Sequence, residues 1–159
     1  MIFIDASAIV AILTEEDEAA ALVEAIEAAS ERVTSPIAVF EAALGICRKR
    51  HSSVSEAYDD IAQFLTISAV KNVAVEPTDA ETALDAFSRF GKGRGHPAQL
   101  NMGDCFAYAM AASRDCALLF KGNDFNKTDV RSLIRQAGRV DQAAQTSTIQ
   151  PRVDVPPGC

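Results

Sequence analysis

Short unbroken apolar runs alternate along this chain with stretches in which apolar residues recur every three or four positions. The first pattern reads as a buried strand, the second as a helix with one inward face. Residues 2–4 are therefore a strand and 7–13 a helix, followed by an Ala/Glu-rich helix over 16–29 that turns Ala20, Leu22, Val23 and Ile26 inward. Residues 32–34 are a weak strand. Ser35 then caps a helix that begins on Pro36 and runs to 50. Residues 55–69 carry Tyr58, Ile61, Ala62 and Leu65 at helical spacing, and 72–76 alternate as a strand. Thr78 and Glu81 match a capping box that opens a helix to 90. A glycine-rich basic loop at 91–97 precedes a helix over 102–115, a buried strand over 117–120 and a short element over 130–134.

Past 136 the pattern fades, and 142–159 is polar and proline-bearing, so a domain over 1–135 is expected to carry a mobile extension over 136–159. No internal repeat is visible. Alternating strand and helix implies an α/β fold: a parallel sheet of four to five short strands covered by helices on both faces. Sites in such sheets form beyond the carboxyl ends of the strands. Asp5 and Asp124 each follow an apolar run at that edge.

Composition narrows the classes. With 159 residues, 48% of them hydrophobic, one domain with a substantial core is expected and disorder is excluded for most of the length. No apolar run approaches the roughly 20 residues needed to span a membrane. The chain opens directly on a strand-like segment without a basic leader, which points to a soluble cytoplasmic protein. Cys47, Cys105, Cys116 and Cys159 form no C-x-x-C pair and only two histidines are present, so zinc spacing is missing. Cys47 and Cys105 read as structural thiols on apolar helix faces. A net charge of −7 argues against broad, non-specific nucleic-acid binding.

Four acidic residues stand where an ordinary fold would place something else. Asp5 follows the first strand, where helix capping and catalysis are both open readings. Ser7 could donate to a carboxylate or cap the helix. Glu41 falls beside Ile37 and Leu44 in a stripe with Phe40 and Cys47, a place where a carboxylate needs either a cation or a partner such as Arg48. Asp104 is a helix cap partner of Asn101 or a site carboxylate, with Gly103 leaving room beside it. Asp124 is turn chemistry or the fourth site acid. Four carboxylates converging on one edge would describe an oxygen-only site for a divalent cation.

The segments Ile4-Asp-Ala-Ser7, Ser35-Pro-Ile-Ala-Val-Phe-Glu41, Leu100-Asn-Met-Gly-Asp-Cys-Phe-Ala-Tyr108 and Leu118-Leu-Phe-Lys-Gly-Asn-Asp-Phe125 together resemble a PIN domain. The toxin component of VapBC-type toxin–antitoxin pairs is the nearest form. The resemblance spans 1–135 and implies a PIN-like fold and a metal-dependent endoribonuclease that cleaves cellular RNA (tRNA, rRNA or mRNA). It implies Asp5, Glu41, Asp104 and Asp124 as the acidic quartet holding Mg²⁺ or Mn²⁺, with Ser7 and Asn101 in supporting polar positions. It also implies a homodimer and a small VapB-type antitoxin whose tail enters the active-site groove. Asn123 occupies a spot that is often acidic in the family.

Cations placed to hold phosphates are Arg48, Lys49 and Arg50 at a helix end, Lys92 and Arg94 in the glycine-rich loop, and Lys121 and Lys127 around the last motif. Arg48 to Arg50 would also favour the helix dipole. Tyr108 and Phe125 read as core rather than as stacking platforms, so recognition of a structured RNA by shape is expected. A haloacid-dehalogenase-like phosphatase could cast Asp5, Lys121, Asp124 and Asp129, but it wants an aspartate at position 7 and leaves Glu41 idle. A response-regulator receiver lacks its acidic pair. A degenerate PIN domain that only binds a partner is the non-enzyme alternative.

Overall fold

In the computed structural model, which describes residues 1–133, four strands pair in the order β3-β2-β1-β4 and every pair is parallel. Along the chain the elements are β1 (Ile2–Ile4), α1 (Ala6–Leu13), α2 (Ala19–Ala28), β2 (Arg32–Thr34), α3 (Pro36–Arg50), α4 (Val54–Ile67), β3 (Lys71–Asn72), α5 (Pro77–Phe90), α6 (Met102–Ser113) and β4 (Ala117–Leu119). A single 3₁₀ turn covers Phe125–Lys127. Successive strand side chains point to opposite faces, and the two cores follow that alternation. Ile2, Ile4 and Leu119 join the layer of α1 to α4, whereas Phe3, Val33 and Leu118 join that of α5 and α6. Phe3, Ile4, Leu118 and Leu119 are completely buried, as expected of a parallel sheet covered on both faces.

The connection from β1 leads to β2 on one side, and β4 returns on the other. The carboxyl end of β1 is therefore a switch point of the sheet, where a crevice opens.

Several expectations need correction. The strand expected over 72–76 is only Lys71–Asn72, at the exposed edge of the sheet. Helix α5 begins two residues earlier than the Thr78–Glu81 pairing implies: Pro77 supplies the first helical position, and the Asp79 carboxylate accepts the Glu76 N–H at 2.9 Å. The helix expected from 16 starts at Ala19, because Glu15 takes a left-handed φ of 54° and turns the chain first. Ala20 is exposed and Val23 only half-buried. Helix α4 buries Ala57 and Ile61 and leaves Tyr58 outside.

The inward face of α3 is not the expected stripe. Ala38, Val39, Ala42, Ala43 and Ile46 are buried, and Phe40 is 64% exposed. At Gly45 α1 packs too closely against α3 to leave room for a side chain. A Cβ built on Gly45 would stand 2.7 Å from Val10 Cγ2. The element expected over 130–134 is reduced, within the described residues, to a bridge between Leu118 and Ser132. The expected boundary after 135 and the extension over 136–159 lie outside the described residues. No helix among the described residues is long and apolar enough to cross a membrane.

Candidate active site

Asp5 sits where β1 ends and α1 begins, where it caps the helix and also lines the cleft. Its N–H donates to Leu119 O at 2.9 Å, which ties it to the neighbouring strand end. Its carboxylate caps α1 by accepting the Ser7 N–H at 2.9 Å, and it also accepts the Ser7 hydroxyl. Ser7 Oγ in turn accepts the Lys121 N–H at 3.0 Å. Asp5 is 3% exposed, and burial raises its pKa against the lowering effect of the bonds from Ser7 and Ala6.

Glu41 projects from the second turn of α3 toward the first turn of α6. A Cβ at Gly103 would overlap its carboxylate, so the absence of a side chain there leaves room for the Glu41 carboxylate in the position it takes. Glu41 makes no hydrogen bond or ion pair among the described residues. Its pKa is pushed up to about 7, by burial first and then by Asp5 and Asp104, with Arg48 pulling the other way. Asp104 also has two roles. It completes a capping box: Asp104 Oδ2 accepts the Asn101 N–H at 2.8 Å, and Asn101 Oδ1 accepts the Asp104 N–H at 3.0 Å. Burial lifts its pKa to about 6. The Asn101 bond restrains that rise, and the charges of Asp5 and Asp124 add to it.

These groups line one cleft of about 520 Å³, together with Arg48, Lys49, Lys121 and Glu16. Of the expected site residues, Asp5, Ser7, Glu41, Asn101 and Asp104 are brought together there. Asp124 is not in the lining. It is exposed on the loop before the 3₁₀ turn, yet near enough to raise Asp104. Of the expected cations, Arg48, Lys49 and Lys121 reach the cleft. The others do not line it. Arg50 pairs with Asp60 at 2.9 Å, Lys127 donates to Pro97 O at 3.0 Å, Arg94 stacks 4.9 Å from the Phe87 ring centroid, and Lys92 is exposed. Tyr108 and Phe125 are core residues.

Glu16 is the residue that sequence reasoning missed. It accepts from both Lys49 and Lys121, which holds its pKa down at about 2. The only signal was the polar Thr14-Glu-Glu-Asp17 run, which reads as an ordinary helix start. Asp129, which a phosphatase would need, accepts the Tyr108 hydroxyl at 2.7 Å and pairs with Arg89, away from the cleft lining.

The donor set suits a hard cation. All its donors are carboxylate and amide oxygens, and the acids raise one another's pKa, so a bound positive charge would offset their repulsion. Among the described residues, however, no three Asp, Glu, His or Cys side chains stand close enough to form a ready-made ligand set.

Comparison with known proteins bears on the family and the fold. The PIN domain family matches residues 2–131. A VapC ribonuclease of Rhizobium meliloti is 38% identical over 141 residues, covering 82% of this chain and 99% of its own. Ribonuclease VapC28 of Mycobacterium tuberculosis is 40% identical over 131 residues, covering 80% and 94%. Among solved structures, M. tuberculosis VapC20, described as a sarcin-ricin loop cleaving toxin, superposes with a TM-score of 0.65 at 14% identity, covering 82% of this chain and 96% of that one. A toxin–antitoxin complex from Klebsiella pneumoniae gives 0.56 at 17% identity, covering 79% and 90%. An acidic cleft at the switch point of a four-stranded parallel sheet, met by these likenesses over most of its length, places the chain in the PIN-domain family, among the VapC ribonucleases.

Proposed function

We propose that this PIN-domain ribonuclease is the toxin of a toxin–antitoxin pair and cleaves cellular RNA internally with Mg²⁺ or Mn²⁺. The observation that carries the reading is the group of three partly or fully buried carboxylates, Asp5, Glu41 and Asp104, which line a single cleft and whose pKa values burial raises. Asp5, Glu41 and Asp104 would hold the cation, and Asp124 would serve from the rim. A divalent cation in such a site lowers the pKa of bound water and stabilises charge on phosphodiester oxygens.

The chain's own residues set the rest. Ser7 fixes the orientation of the Asp5 carboxylate through its N–H and its hydroxyl. Asn101 uses its side-chain oxygen for the cap, which leaves its amide NH₂ to donate to a phosphate oxygen. Arg48, Lys49 and Lys121 supply positive charge for the RNA backbone in the same cleft. The remaining cations, Arg50, Lys92, Arg94 and Lys127, would act as outer contacts.

An antitoxin partner is supported by the toxin–antitoxin complex among the structural likenesses. A homodimer is supported by exposed Leu84 and Met102, which flank an apolar groove of about 420 Å³ between α5 and α6. This function would be exercised in the cytoplasm, where cellular RNA lies.

Cleavage of total RNA by the purified protein tests the reading. EDTA is expected to abolish cleavage and Mg²⁺ or Mn²⁺ to restore it. Undiminished cleavage in EDTA, or rescue by Zn²⁺ alone, would count decisively against it.

A further inference from the structure

Glu16 faces the cleft, but it is not placed as a cation ligand. Its Oε1 accepts from Lys49, at the carboxyl end of α3, and its Oε2 from Lys121, just past β4. Two ammonium groups from distant parts of the chain would repel one another without that bridge. The carboxylate is itself held in place. Thr14 Oγ1 lies 3.0 Å from its Oε1, sharing its one proton with Val10 O at 2.8 Å, the Glu16 N–H bonds Ala11 O at 2.9 Å, and the Glu16 carbonyl accepts the Ala19 N–H at 2.8 Å.

The exposures decide which partner faces the solvent. The Glu16 side chain is 17% exposed, against 49% for Lys49 and 31% for Lys121. Glu16 is thus the more sheltered partner of each lysine, while Glu18, which also pairs with Lys121 and is 50% exposed, stands at the outer side of the cluster. An ammonium has three donors. Lys49 spends one on Glu16 and keeps two. Lys121 spends one on Glu16 and one on Glu18 at 2.9 Å, and keeps one. With its pKa at about 2, Glu16 stays ionised wherever RNA would be bound.

We propose that Glu16 is a positioning residue that joins Lys49 and Lys121 into a two-lysine seat for a backbone phosphate of the RNA. The seat lies in the same cleft as the acidic group, so a strand held there passes the carboxylates. The ammonium donors that Lys49 and Lys121 keep free, with Arg48 in the same cleft, give a chain of net charge −7 a local place to hold a phosphate. The inference rests on the ribonuclease reading for its ligand, an RNA phosphodiester, but not on turnover.

The test is binding of a labelled single-stranded RNA oligonucleotide in EDTA, followed by fluorescence anisotropy, beside steady-state cleavage with Mg²⁺ or Mn²⁺. Glu16→Gln keeps shape and one acceptor but loses the charge. It is expected to weaken binding about fivefold or more, to raise KM by a similar factor, and to leave kcat within about twofold. Lys49→Ala and Lys121→Ala are each expected to weaken binding, and adding Glu16→Gln to the double lysine variant is expected to change nothing further. Glu16→Asp is expected to restore part of the loss. Thermal melting of each variant separates loss of the seat from loss of fold.

Tighter RNA binding in Glu16→Gln would show that Glu16 competes with phosphate, and would overturn the proposal. Unchanged binding, or a full additional loss in the double lysine background, would overturn it as well. So would a parent protein that does not bind RNA at all. A parent that binds through these three residues but never cleaves would remove the ribonuclease reading and leave the seat standing.

Discussion

At the scale of single residues, the acids of the cleft work against the stability of the cation-free fold. The folded-state pKa values of Asp104 and Glu41, about 6 and about 7, lie above their ordinary values of 3.8 and 4.5. A raised carboxyl pKa means that the folded state holds its proton longer than the unfolded chain. Stability is then greatest at low pH and falls as pH rises from the unfolded value through the folded one. Glu16 and Asp79 are shifted down instead, and their contribution is lost only on further acidification, below the ordinary carboxylate range. In EDTA the melting temperature is therefore expected to fall between about pH 5 and pH 7.5. Asp104→Asn removes one charge yet keeps an oxygen for the Asn101 N–H. It is expected to flatten the lower part of that fall, to stabilise the cation-free protein by about 1 kcal/mol at neutral pH, and to abolish cleavage. A less stable variant that still cleaves would reduce Asp104 to a helix cap.

Gly103 belongs to the same scale. Gly103→Ala would gain helix propensity of about 1 kcal/mol on an isolated helix. Here the added methyl displaces the Glu41 carboxylate. The expected outcome is loss of at least about tenfold in kcat/KM with a change of no more than about 1–3 kcal/mol in stability, read by cleavage assays and urea unfolding.

Among the elements, the join between α5 and α6 depends on one buried acid. Asp79, 1% exposed, accepts from the Glu76 N–H at 2.9 Å, from Ser113 Oγ at 2.7 Å and from Arg114 Nη1 at 3.1 Å. Arg114 also donates to Ala74 O at 3.0 Å, which ties the end of α6 to the segment leading into α5. Removing one partner of a buried ion pair leaves the other uncompensated. Asp79→Ala is expected to cost about 3 kcal/mol or more in urea unfolding. Thr78→Ala, at an exposed position whose side chain caps nothing, is expected to stay within about 0.5 kcal/mol. The reverse ranking would restore the cap at Thr78.

For the whole molecule, charge limits how RNA is held. The net charge is −7, and only Arg48, Lys49 and Lys121 among the expected cations line the cleft. Few phosphates can then be neutralised at once. If about four are contacted by a single strand, log K is expected to fall against log salt with a slope of about −3. Titration of RNA binding over a series of KCl concentrations reads that slope. A slope twice as steep would place RNA on a broader basic surface than the cleft provides.

The pattern of the chain was enough to locate the parallel sheet, its carboxyl edge, and Asp5, Glu41 and Asp104, because strand runs, helix starts and motif residues are local features. Asp5 and Asp104 each serve as cap and cleft acid, so weighing one reading against the other posed a choice the structure does not require. Distances through space were not legible. Phe40 marked an inward stripe on α3, but the buried face is that of Ala38, Val39, Ala42, Ala43 and Ile46, with α1 in close approach at Gly45. The Thr78–Glu81 pairing gave way to Asp79 because only packing brings Ser113 and Arg114 to that carboxylate. Glu16 drew no notice, since its two lysines lie 33 and 105 residues away. The sequence by itself determined the edge of the sheet and three of the acids that meet there, Asp5, Glu41 and Asp104, but neither the place of Asp124 at the rim nor that of Glu16 in the cleft. Tertiary structure decided which cations stand beside them, because ion pairing depends on separation in space and not along the chain.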